Sequence, residues 1–145
     1  MKLLKRIIFL SLLTFLPMQF VFGGENVVVI VNKGNTLSLT EQDIKNIYSD
    51  IVTHWDNGNK IDVYNLAVED ETREIFSQKI FGESAQKQAA AEANRKITNT
   101  IKNPTKTKSA RLIEKLVSKN PNAIGYMPAS SLKDASKVRI VLQID

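Results

Sequence analysis

Residues 27–51, VVVIVNKGNTLSLTEQDIKNIYSDI, decide the fold. Val27 to Val31 form an unbroken β-branched run without polar alternation, the pattern of a strand buried on both faces instead of an edge strand with one wet side. Helices should therefore pack on both sides of it. Lys33, Gly34 and Asn35 turn the chain. Ser38, followed three residues later by Glu41, gives a capping box that opens a helix. Ile44, Ile47, Tyr48 and Ile51 recur at helical spacing and define its buried stripe. A buried strand leading into an amphipathic helix is a building unit of an α/β layer architecture.

Working outward toward the C-terminus, Asp56, Asn57, Gly58 and Asn59 are turn residues, and the alternation Ile61, Val63, Asn65 predicts a second strand. Glu69, Asp70 and Glu71 precede Ile75, Phe76 and Ile80, which places three carboxylates in the first turn of a helix, where they complement its positive end. Gly82 stops that helix and Ser84 caps the next, an alanine-rich one reaching about Ile97. Thr98 to Lys108 is polar, contains Pro104 and lacks periodicity, so it is expected as a long loop. Leu112, Ile113, Leu116 and Val117 mark a further amphipathic helix, stopped by Asn120 and Pro121. Ala123 to Met127 and Val138 to Ile144 are two last strands. The whole predicts an α/β domain of three layers, a sheet with helices on both faces.

Toward the N-terminus, Lys2, Lys5 and Arg6 precede an apolar run from Ile7 to Leu16, then Pro17 and a short stretch ending in Val21, Phe22, Gly23 and Gly24. That order of charged, apolar and small residues is the order of a secretory signal. The apolar run is about half of what a membrane-crossing helix needs. Residues 1–23 are thus expected to be a cleavable signal peptide, cut after Gly23 or after its neighbour Gly24, and residues 24–145 a single periplasmic domain. The chain has no cysteine, which leaves no lipidation site, no disulfide and apolar burial as the source of stability.

The formal charge of +5 overstates the basicity of the exported part, since three of the cations lie in the signal. The remainder divides unevenly: residues 24–94 carry 6 basic and 12 acidic side chains, whereas residues 95–145 carry 11 basic and 3 acidic ones. A nearly balanced total argues against nucleic acid. The basic half either draws in an anion or an acidic protein partner, or forms a solvated surface.

Enzyme readings fare poorly. His54 is the one histidine, so a zinc site or a Cys–His pair has no second member, and no serine lies in a G-x-S-x-G pattern. Beside Trp55, His54 belongs to a packed corner above the Asp56 to Asn59 turn. Glu69, Asp70 and Glu71 lack the alternating ligands and central glycine of a calcium loop. No catalytic residue, metal ligand or cofactor is expected. Thr72 and Arg73 are more suggestive: a hydroxyl, a guanidinium and free N–H groups in one first turn are the parts of an anion site. The competing reading pairs Arg73 with a carboxylate such as Glu69. A second candidate cradle is Thr107 with Ser109, at the start of the helix around Leu112 and flanked by Lys106 and Lys108.

Residues 37–61, LSLTEQDIKNIYSDIVTHWDNGNKI, resemble the segment of periplasmic phosphate-binding proteins in which a helix runs into a Trp-Asp-Gly turn. Ile47, Tyr48, Trp55, Asp56 or Asn57, and Gly58 carry the match. Residues 72–76, TREIF, and residues 120–127, NPNAIGYM, are similar to later segments of the same family, so the likeness spans about residues 27–130. The resemblance implies one lobe of a type II periplasmic binding protein, the solute-binding component of a phosphate ABC transporter, with a small anion as ligand and a membrane transporter as partner. Full-length relatives bind the anion between two lobes, whereas this sequence matches a single lobe. Where relatives carry a Ser-Gly-Thr loop, this chain has Val68, Glu69, Asp70, Glu71 and Thr72, and three carboxylates repel phosphate at close range unless they point away. Two expectations follow: a non-catalytic module that binds phosphate or another small anion weakly, or an accessory, protein-binding module that keeps the lobe and has lost the ligand.

Overall fold

The computed structural model describes residues 24–145; the expected signal peptide, residues 1–23, lies outside them. In chain order the elements are β1 (Val27–Asn32), α1 (Glu41–Tyr48), β2 (Asp62–Asn65), α2 (Glu71–Phe81), α3 (Ala85–Ile97), β3 (Lys106–Thr107), α4 (Ala110–Lys119), β4 (Ala123–Pro128) and β5 (Val138–Ile144). The strands form one sheet in the order β3-β2-β4-β1-β5. β2 runs parallel to both β3 and β4, while β1 is antiparallel to β4 and to β5. The β1–β5 register shifts between Val29 and Ile30, where Val141 stands unopposed in β5.

The β-branched run occupies the interior position that its lack of alternation requires: Val27 to Val31 are all buried. β4 shows how both faces are covered. A Cβ on Gly125 would lie 2.4 Å from Ile113 Cγ2 and 3.6 Å from Val117 Cγ2, so α4 is seated directly on that backbone. The next residue, Tyr126, stacks on Phe76 of α2 with ring centroids 3.8 Å apart and meets Tyr48 of α1 edge-on at 5.8 Å. Successive strand side chains point to opposite faces. Hence α4 covers one face, α1 and α2 the other, and the three-layer α/β arrangement expected from sequence is present.

Local chemistry moves some boundaries. The box that opens α1 is Thr40 with Asp43, not Ser38 with Glu41: the Asp43 N–H donates to Thr40 Oγ1 at 3.1 Å, and the Thr40 N–H donates back to the Asp43 carboxylate at 2.8 Å. The helix thus begins one turn fraction later and ends at Tyr48, leaving Ile51 68% exposed instead of in the buried stripe. Asp70 is the N-cap of α2, so Glu69 lies before the helix and, of the three expected carboxylates, Glu71 alone falls within its first turn, where Glu74 joins it. Gly82 closes α2 with φ of 67°, the left-handed conformation that a side chain disfavours. Ser84 caps α3 as expected. The segment from Thr98 to Lys108 is not all loop: it contains β3, and its Asn103 is buried, held by the Asp50 carboxylate on its N–H and donating to the Ile61 carbonyl at 2.8 Å.

Candidate functional site

β2 and β3 run side by side, with Asn65 opposite Thr107, and the Lys108 N–H donates to the Asn65 carbonyl at 2.9 Å. The chain leaves both strands at the same end of the sheet, once toward α2 and once toward α4. This parallel exit brings the two stretches singled out in the sequence to one edge.

On the α2 side, the turn from Ala67 to Asp70 closes with a 3.0 Å backbone hydrogen bond, and the Asp70 carboxylate accepts from the Thr72 N–H at 2.9 Å. That amide, expected to be free for an anion, is already capped by a carboxylate. Thr72 is 5% exposed and Arg73 7%. Arg73 does not pair with Glu69. Its Nη1 donates to the Leu66 carbonyl at 2.9 Å, and among the described residues it forms no ion pair. On the α4 side, Ser109 is the N-cap residue of α4, yet its hydroxyl makes no capping bond. Lys106 turns away to pair with Asp62.

A cleft of about 350 Å³ opens here, with Arg73, Thr107, Thr105, Lys96, Glu92 and Glu69 among its lining. Arg73 and Thr107 therefore share a cavity, whereas Thr72 and Ser109 do not line it. The remaining wall comes from α3 and the segment before β3, which the sequence did not single out. There Glu92 is engaged twice, by Lys96 at 2.9 Å and by the Thr105 hydroxyl at 2.7 Å. The spacing of Ala89 and Ala93, which also line the cleft, against Glu92 and Lys96 was the available signal: small residues on one stripe let a cavity approach the helix.

Behind Arg73 lies a buried polar network. Tyr126 donates its hydroxyl to Asn65 Oδ1 and accepts from the Leu66 N–H at 3.4 Å, while Tyr48 donates to the Tyr64 carbonyl at 2.9 Å. Burial drives both phenols well above their ordinary range; the Leu66 N–H and the Arg73 charge pull Tyr126 the other way, and the Arg73 charge likewise opposes the shift of Tyr48 without reversing it. Both therefore act as neutral donors that fix the β2 exit and the Leu66 carbonyl on which Arg73 rests.

At the opposite end of the sheet, Trp55 is buried and its indole N–H donates to the Asn122 carbonyl at 3.0 Å, as expected of a packed corner. His54 is exposed, its Nδ1 2.8 Å from the Thr53 hydroxyl. Among the described residues no cluster of three His, Cys, Asp or Glu side chains could hold a metal ion.

Residues 17–142 match the model of a family described as PBP superfamily domain. No curated protein matches the chain. Several solved structures share its fold. One, from Clostridium perfringens, is provisionally described as a phosphate ABC transporter substrate-binding protein with bound phosphate: 24% identity, TM-score 0.61, covering 81% of this chain and 44% of that one. An ABC-type phosphate transport receptor from Vibrio cholerae is 20% identical with TM-score 0.61, over 81% of this chain and 45% of its own. A possible phosphate-binding protein from Planctomyces limnophilus is 16% identical with TM-score 0.62, over 81% and 40%. This chain thus spans less than half the length of each.

Proposed function

Because the chain belongs to the PBP superfamily, we propose that it is an exported, non-catalytic solute-binding module whose ligand is phosphate or another small anion. The mature protein then begins at Gly24 or Glu25 and works in the periplasm. The observation that carries this reading is Arg73: a guanidinium only 7% exposed, without a carboxylate partner among the described residues, lining a cleft at the end of the sheet. A buried cation is costly unless an opposite charge meets it, and an oxyanion supplies that charge in the bidentate geometry guanidinium prefers. Thr107 supplies a hydroxyl in the same cleft; Thr72 and Ser109, at the two helix starts beside it, complete the proposed set. The phosphate transport proteins that share the fold support an anion as ligand and a membrane transporter as partner.

The cleft is open to water, and Glu69 stands at its rim. Affinity is accordingly expected to be weak, on the order of millimolar, or about 4 kcal/mol, and to fall as salt screens the contact. Titrating the mature domain with inorganic phosphate in a calorimeter at low and high ionic strength tests this. Saturable heat that fades with salt and is lost in Arg73→Ala supports it. One observation favours a second reading, a protein-binding module that has lost its ligand: the Asp70 carboxylate occupies the Thr72 N–H where an anion would sit. No saturable heat with phosphate would select that alternative.

A further inference from the structure

We propose that Arg95 is a second anion-binding residue of this site, its guanidinium acting from α3 beside Arg73; the inference rests on the anion-binding reading above. Between α2 and α3, adjoining the cleft through the shared residues Arg73 and Glu92, lies a nook of about 10 Å³. That is room for one water molecule or for one oxygen of a larger oxyanion.

Its walls are rich in unused donors. Arg95 Nε is buried and has no hydrogen-bond partner. Arg73 gives one N–H to the Leu66 carbonyl, which leaves the rest of its donor fork unassigned. Asn65 spends its Oδ1 on the Tyr126 hydroxyl, so the free end of its amide is the NH₂. Gln88 already gives its amide N–H to Glu83. The one carboxylate of the nook, Glu92, is engaged by Lys96 and Thr105. Two guanidinium charges and a buried orphan N–H thus surround a space with no uncommitted counter-charge. A buried donor left unmade costs about 1–3 kcal/mol, and native structures retain such groups mainly where a ligand, ion or water completes them. A negatively charged acceptor matches this donor set better than water, since two guanidinium groups face one carboxylate that Lys96 and Thr105 already engage.

α3 is arranged to deliver that group. Gln88, Glu92 and Arg95 follow at helical i, i+4 and i+7 spacing, so one polar face lies over the nook, while Ala85 is the one residue of α3 that is buried. The helix is tied to its neighbours by polar contacts, the Ala85 N–H donating to the Glu74 carboxylate and the Thr105 hydroxyl to Glu92, both at 2.7 Å.

The test uses the ¹⁵N-labelled exported chain titrated with inorganic phosphate, following backbone amides together with the arginine Nε–H signals. The Arg95 Nε–H resonance is expected to shift and saturate with the same dissociation constant as the backbone amides at the start of α2. Arg95→Gln is expected to weaken binding about tenfold at unchanged melting temperature. If Arg95→Gln fails to fold, Arg95→Lys decides, because it keeps the charge and removes the Nε–H: weakened binding supports the assignment. An Arg95 Nε–H that stays still while backbone amides shift, or wild-type affinity in the folded variant, overturns the role of Arg95 and leaves the anion site standing. Absence of any saturable shift in the unmutated chain overturns the anion site itself, and Arg95 with it.

Discussion

Gly125 shows how a single missing side chain sets the layer spacing. With a Cβ built there, the contact to Ile113 Cγ2 shrinks to 2.4 Å, and the obstructing methyl belongs to a stiff β-branched side chain on a helix, not to the tip of a flexible one. Gly125→Ala is therefore expected to push α4 off the sheet and cost about 1–3 kcal/mol; a chemical-denaturation midpoint equal to that of the unmutated protein would contradict this. The neighbouring Tyr126 serves the other face and, through Asn65 and the Leu66 N–H, holds the loop on which Arg73 rests. In the sequence the pair Gly125-Tyr126 reads as part of a strand within the family-like segment of residues 120–127. Its division of labour between two faces becomes visible once α4 and α2 are placed.

At the scale of elements, the small edge strand β3 depends on one charged group. Asp62, on β2, accepts from Lys106 and from Asn120, the latter at 2.7 Å. Burial raises its carboxyl pKa, but those hydrogen bonds and the Lys106 charge outweigh burial and hold it below the ordinary 3.8; the same contact raises Lys106 above its ordinary 10.5. A lowered carboxyl contributes stability that is present above 3.8 and lost as pH falls through the lowered value. A raised ammonium contributes stability that is present below 10.5 and lost as pH climbs through the raised value. Asp62→Asn should therefore weaken the fold modestly, by about 0.5–1 kcal/mol for this half-exposed pair, across the neutral plateau. In acid the difference from the unmutated protein should vanish. Urea melts at neutral pH and in acid well below the lowered Asp62 value check both statements, and a difference that persists there would refute them.

Strong periodicity made most of the elements legible. The β-branched run, the Ile44, Ile47, Tyr48 stripe, the Gly82 stop and the Ser84 cap all read directly from residue types. The cap of α1 did not, because Ser38-Glu41 and Thr40-Asp43 both satisfy the pattern, and only the second forms its reciprocal hydrogen bonds. β3 escaped detection because two residues carry no period. For the site, Arg73 and Thr107 stood out as residue types at helix and strand ends, and the structure places them in one cleft. Arg95, Lys96 and Thr105 did not stand out, since a basic residue on an alanine-rich helix looks like solvated surface until the fold turns that helix toward a cavity.

For the whole molecule, the sheet order places β1 between β4 and β5, with Val27 opposite Ile144 and Pro128 at the two flanks. Both lateral partners of β1 thus lie at Ala123 or beyond. A chain ending after Ser136, which lacks β5, is expected to lose cooperative thermal unfolding, because one side of β1 and its buried valines face water. A sharp melting transition in that truncation would show that β5 is dispensable. The same order has a consequence in time. Contacts between distant parts of a chain form late and slowly, and here β1 finds its first lateral partner only when β4 is present. Growth of the polypeptide therefore cannot lock the fold prematurely. If the chain is exported as proposed, that delay keeps it threadable through a narrow channel while β1 waits for β4.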